Sequence, residues 1–111
     1  MQWLRHLVSP TIPEVVPGAA RRRQEAGAIL VDVREPAEWR EGHAAQARHI
    51  PLGQLSEKLG MLPRDSEVLF ICRSGNRSAK ATGTARAAGF STTNVSGGTD
   101  AWVRAGLPIE R

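Results

Sequence analysis

The chain's only cysteine stands where an apolar run stops, in Val68-Leu69-Phe70-Ile71-Cys72-Arg73-Ser74-Gly75-Asn76-Arg77-Ser78. Cysteine does chemistry as the thiolate. A loop leading into a helix N-terminus supplies free backbone N–H groups and the positive end of the helix dipole, both of which lower a thiol pKa. Arg73 and Arg77 add full positive charge beside the sulfur. Gly75 can take a positive φ, which lets successive N–H groups converge into an anion-binding nest. Ser74 and Ser78 offer hydroxyl donors and Asn76 an amide, while Ser78 is equally suited to capping the next helix. This constellation fits a nucleophilic thiolate that receives an anionic substrate. The competing reading is a buried structural cysteine at a strand end, since free Cys is among the most buried residue types. The polar run Arg73 to Ser78 offers Cys72 no apolar partner, which favours the reactive reading.

Such a loop must be held by a strand before it and a helix behind it. Apolar β-branched runs alternate with helical patterns along the chain, the mark of βαβ units and a mostly parallel sheet. Strands are expected at Ala28 to Val33, Val68 to Ile71 and Thr92 to Val95, with Ile50 in a shorter one. Helices are expected at Glu14 to Glu25, Pro36 to Glu41, Leu55 to Leu62, Ser78 to Ala88 and Thr99 to Ala105, the first delayed or kinked by Pro17-Gly18. The helix after the cysteine is thin, rich in Ala and carrying Gly83, and is expected to lie close to the sheet. Gly83 lowers helix propensity by about 1 kcal/mol relative to Ala, which backbone proximity would explain. Cys72 falls just past the carboxyl end of its strand, where open α/β sheets bind ligands.

A length of 111 residues suits one compact domain with a single core. Residues 1–10 are expected to be a flexible extension and 11–111 the domain. One cysteine excludes an internal disulfide, and the N-terminal apolar stretch is too short and interrupted for a secretory signal, so the cytoplasm is expected; a monomer is the expectation for the assembly. The net charge of +4 and isoelectric point near 10.6 favour anionic partners, from small oxyanions to acidic protein surfaces. Arg21-Arg22-Arg23 reads as a solvated helix face, and the few aromatics give no base-stacking platform, so neither nucleic acid nor membrane is expected as a partner.

Three stretches together resemble single-domain rhodaneses, the thiosulfate sulfurtransferases. Cys72 to Ser78 is similar to the family's active-site loop. Asp32-Val33-Arg34-Glu35-Pro36-Ala37-Glu38-Trp39, with Glu41-Gly42-His43 and His49-Ile50-Pro51-Leu52, is similar to its N-terminal motif, and Gly97-Gly98-Thr99-Asp100-Ala101-Trp102 through Pro108 to its C-terminal one. The resemblance implies an α/β, rhodanese-like fold with a five-stranded, mostly parallel sheet and helices on both faces. It also implies that Cys72 carries a persulfide. One departure concerns a local turn: the family usually has Ile-Pro-Gly before the next Ala, and this chain has Ala44-Ala45-Gln46 before Ala47.

The implied reaction moves sulfane sulfur from thiosulfate to cyanide, a thiol or a sulfur-acceptor protein, without metal or cofactor. Arg73, Ser74, Gly75, Asn76, Arg77 and Ser78 would bind the donor, the two arginines offsetting repulsion between a dianion and a thiolate. Asp32 and Arg34 read as a buried pair bracing the loops, with direct donor contact by Arg34 left open. His6, His43 and His49 are assigned structural hydrogen bonds, since a thiolate stabilised by a helix end needs no base. Trp39 and Trp102 read as core or rim packing, Trp102 also as a pocket wall. The rivals are a sulfur relay in cofactor assembly or tRNA thiolation, a non-catalytic binding module, and a phosphatase or arsenate reductase. Phosphatase loops place five residues between nucleophile and arginine, whereas only Arg73 to Asn76 separate Cys72 from Arg77.

Overall fold

β-Branched and aliphatic residues at consecutive positions demand a strand buried on both faces, and the computed structural model, which describes residues 12–111, builds its central sheet from such strands. The expected extension at residues 1–10, with Trp3 and His6, lies outside the described residues.

Strands β1 (Glu14–Val15), β2 (Ile29–Asp32), β4 (Arg48–His49), β5 (Val68–Ile71) and β6 (Thr92–Val95) form one five-stranded sheet in the order β1-β6-β5-β2-β4, every neighbouring pair parallel. Short strands β3 (His43–Ala44) and β7 (Ile109–Glu110) pair antiparallel in a separate ribbon that the sequence reading did not foresee. Helices are α1 (Pro17–Glu25), α2 (Pro36–Glu41), α3 (Leu55–Lys58), α4 (Asn76–Ala87) and α5 (Gly98–Arg104). None among the described residues is long and apolar enough to cross a membrane.

Strand alternation divides the core. Val68, Phe70 and Cys72 face one layer with Val31, Val33, Leu55, Ala81 and Ala85, beneath α3 and α4. Leu69 and Ile71 face the other with Leu30, Val95, Ala20 and Trp102, beneath α1 and α5. Helix α4 buries Ser78, Ala81, Thr82 and Ala85, the i, i+3, i+4, i+7 stripe of an amphipathic helix.

Several boundaries differ from expectation for local reasons. Helix α1 starts at Pro17, not Glu14, because the residue before a proline is pushed to extended backbone and proline itself favours the first helical position. Glu14 and Val15 are thereby free to pair with Asn94 and Val95 as an edge strand. The Leu55 to Leu62 helix is a single α turn followed by a 3-10 turn at Leu59–Met61, with Gly60 inside it. Ile50 follows β4 instead of belonging to it. Gly83 is not a point of close approach: an added Cβ would meet only Ile12 Cγ2, at 4.0 Å. The nearness of α4 to the sheet comes from Ala81 and Ala85, both fully buried.

Candidate active site

Cys72 directly follows β5, so the two-residue period of the strand turns its side chain toward the core face occupied by Val68 and Phe70. The residue is only 1% exposed. The expectation that Cys72 lacks apolar company is therefore corrected: one side of the sulfur packs in the core, and the polar loop wraps the other.

The loop closes over the sulfur through Gly75. Its φ of +111° caps helix α4, and its N–H donates to Cys72 Sγ at 3.1 Å. A side chain here would be strained by the positive φ and would crowd Gly97 N at 3.3 Å. Helix α4 begins two residues earlier than expected, which makes Ser78 its third residue and not its cap. The Ser78 hydroxyl, fully buried, donates to Cys72 Sγ at 3.1 Å. Burial pushes the Cys72 thiol up, but the Ser78 hydroxyl and the N–H groups of Ser78, Gly75 and Ser74 outweigh it and hold the thiol below its ordinary value. Arg73, Ser74 and Asn76 lie exposed at the rim.

A second helix end fixes the peptide planes of this loop. At the start of α5, the N–H and hydroxyl of Thr99 both donate to Cys72 O, at 2.8 and 3.0 Å, and Asp100 N–H donates to Arg73 O at 3.1 Å. In a trans peptide the C=O and following N–H point opposite ways. Anchoring Arg73 O toward α5 therefore aims Ser74 N–H back toward the sulfur, where it is one of the groups lowering the thiol pKa. Gly98 is required at this crossing: a Cβ would come within 2.5 Å of Cys72 O and of Arg73 C and O. Asn94, from β6, holds the far side by donating from Nδ2 to Gly75 O at 3.1 Å and to Glu14 at 2.9 Å. Sequence reasoning named the Gly97-Gly98-Thr99 stretch as a motif but assigned neither Thr99 nor Asn94 a place beside the cysteine.

Arg77 is less free than its position suggests. Its guanidinium grips Glu38 of α2 with two bonds, Nη1 to Oε1 at 2.6 Å and Nη2 to Oε2 at 2.8 Å. That hydrogen bonding, against a partial cost of burial, lowers the Glu38 carboxyl to about 2 and raises the Arg77 pKa. Glu38 also accepts from Glu35 N–H at 3.0 Å, which ties the ion pair to the first turn of α2. Arg73 carries the other loop charge at 69% side-chain exposure, with Asp100 at 3.9 Å.

Asp32 and Arg34 form a buried pair at the carboxyl end of β2. Asp32 Oδ2 accepts from Arg34 Nη2 at 2.8 Å, Asp32 Oδ1 from Arg34 N–H at 2.9 Å, and Arg34 Nη2 also donates to Gly42 O at 2.7 Å. Arg34 is 5% exposed, its Nε and Nη2 engaged inside the protein. His43 Nδ1–H donates to Trp39 O at 2.9 Å and His49 Nε2–H to Arg34 O at 2.7 Å, both rings stacked on Trp39. Their hydrogen bonds go to the backbone, not to the cysteine. Trp102 is fully buried in the layer beneath α1 and α5, its indole N–H donating to Pro108 O at 2.8 Å. It is core, not a pocket wall.

A parallel α/β sheet with a lone cysteine cradled at a helix N-terminus defines a class of protein, and residues 16–105 match the rhodanese-like domain family. The chain belongs to that family. It is 43% identical over 93 residues to YtwF of Bacillus subtilis, provisionally named a sulfurtransferase, covering 82% of this chain and 90% of that protein. It is 30% identical over 96 residues to the thiosulfate sulfurtransferase GlpE of Pseudomonas aeruginosa, covering 86% and 87%. The crystal structure of a rhodanese-related protein from Thermoplasma volcanium superposes with a TM-score of 0.83 at 33% identity, covering 88% of this chain and 97% of the other. These relatives support a rhodanese-type sulfur-transfer role.

Proposed function

We propose that the protein moves sulfane sulfur from thiosulfate to cyanide or a thiol through a persulfide on Cys72. The observation that carries this reading is the sulfur itself, held between the Gly75 N–H and the Ser78 hydroxyl at the N-terminus of α4 with its pKa lowered. In the first half-reaction Cys72 thiolate attacks the outer sulfur of thiosulfate, a new S–S bond forms, and the old one breaks with its electron pair leaving on sulfite. Three negative charges enter and three leave, so no proton or redox partner is needed. The terminal persulfide sulfur is then negative, and the N–H groups from Ser74 to Ser78 stabilise it. In the second half-reaction cyanide carbon attacks that sulfur, thiocyanate departs, and the electron pair returns to Cys72. Arg73, Ser74 and Asn76 meet the donor, Arg77 stands behind them paired with Glu38, and Asp32 and Arg34 brace the loop from β2.

Transfer to an acceptor protein uses the same loop, and the exposed Arg73 on a chain of net charge +4 suits an acidic partner. A free thiol is the working form, in keeping with a reducing compartment such as the cytoplasm. The test is intact-protein mass after thiosulfate and again after cyanide, for the native chain and Cys72→Ser. A gain of one sulfur atom that needs Cys72 and is discharged as thiocyanate supports the reading. A folded protein that takes up no sulfur removes thiosulfate as the donor.

A further inference from the structure

We propose that Glu38 sets the donor preference of the site: by engaging Arg77 through two bonds it withholds one of the loop's two arginine charges from an incoming donor, and so disfavours dianions relative to monoanionic thiol persulfides. This rests on the sulfur-transfer reading above and names what tunes it.

The charge count around Cys72 carries the inference. Arg77 immediately precedes Ser78, whose hydroxyl bonds the Cys72 sulfur, yet both of its Nη atoms are held by Glu38 at 2.6 and 2.8 Å. Glu38 stays ionised throughout the working range, its carboxyl lowered to about 2 by that same pairing. The pair is therefore neutral as a unit, and Arg73, well exposed and only loosely paired with Asp100 at 3.9 Å, is left as the loop cation a donor can reach. A dianion such as thiosulfate approaching a thiolate needs more compensation than a monoanion does, because the electrostatic energy scales with the donor's charge. Glu38 is placed by backbone, not by chance: as the third residue of α2 it accepts from Glu35 N–H and cannot swing away without releasing that turn. The donor class this arrangement favours is the hydropersulfide of a small thiol, whose sulfane sulfur passes to Cys72 as a new S–S bond forms and the donor's own S–S bond breaks, the electron pair leaving on the thiolate.

The experiment compares Cys72 loading from thiosulfate and from the persulfide of 2-mercaptoethanol, whose thiol part is uncharged, in the native chain, Glu38→Gln and Glu38→Gln/Arg77→Gln. Glutamine keeps the acceptor for Glu35 N–H but frees the Arg77 charge. Glu38→Gln is expected to raise kcat/KM roughly tenfold for thiosulfate and roughly threefold for the persulfide, the dianion gaining the square of the monoanion's factor. The double variant, which restores the native local charge, is expected to return the ratio of the two donors to the native value. Raising the ionic strength is expected to shrink the gain. A ratio unchanged in Glu38→Gln, or a raised ratio that persists in the double variant, overturns the inference while leaving sulfur transfer intact. Failure of the native chain to load from either donor overturns both.

Discussion

Two helices of this molecule start the same way and do different work. Helices α4 and α5 each follow a sheet strand, and each is entered through a glycine with positive φ, Gly75 at +111° and Gly97 at +75°. The first helix turns its free N–H groups and its Ser78 hydroxyl onto the Cys72 sulfur. The second turns its N–H groups and its Thr99 hydroxyl onto the Cys72 and Arg73 carbonyls. A helix N-terminus attracts whatever negative charge is placed before it. The lesson is that one helix end prepares the other: α5 takes up the loop's carbonyl oxygens, which leaves the loop's N–H groups for the sulfur.

The most damaging way to break this division is at the crossing of the two ends. Gly98→Ala puts a Cβ into the Cys72 and Arg73 peptides at a φ of +61°, and is expected to cost more than about 3 kcal/mol from clash and left-handed strain together. Urea unfolding measures it. Unchanged stability would mean the loop backbone can retreat from α5 freely. A gentler version is Thr99→Val, which keeps the shape and the N–H bond to Cys72 O but removes the hydroxyl bond of 3.0 Å. It is expected to cost about 1 kcal/mol in unfolding and, if the loop receives the donor as proposed, to slow sulfur loading.

Some of this architecture is readable without coordinates and some is not. Strands β5 and β6 and helix α2 stand where the apolar run Val68 to Ile71, the β-branched Thr92, Thr93 and Val95 and the Glu35-Pro36 start place them, because burial on two faces and proline at the first helical turn leave strong local signals. The cysteine loop is legible for the same reason. Strands β1, β3 and β7, of two residues each, are too short to have a period. Glu38 with Arg77 and Thr99 with Cys72 join residues 39 and 27 positions apart, so each partner looks like an ordinary surface or helix-start residue until the sheet brings them together. Cys72 itself is misjudged by its sequence neighbours, because its apolar company comes from other strands and helices.

The departure at Ala44-Ala45-Gln46 gives the smallest test, away from both helix ends. Gln46 is the only non-glycine among the described residues with positive φ, +62°, at the position where the family motif usually has glycine. Gln46→Gly is expected to stabilise the fold by about 0.5 kcal/mol, relief of left-handed strain being offset in part by the looser unfolded chain. It is expected to leave sulfur loading unchanged. A change in loading would couple this turn to the site and blur the separation of reactive from structural regions.

The most direct test of the central claim is the pH dependence of Cys72 alkylation by iodoacetamide in the native chain and in Ser78→Ala. The native midpoint is expected below the ordinary thiol range, and the variant's higher, because a donor to the thiolate is gone while the burial that opposes ionisation remains. The variant is also expected to react several-fold more slowly at neutral pH, a hydrogen bond to a charged group being worth about 1.5–3 kcal/mol. Identical midpoints at or above the ordinary thiol value in both proteins would contradict the account, leaving Cys72 a buried cysteine that the helix end does not activate.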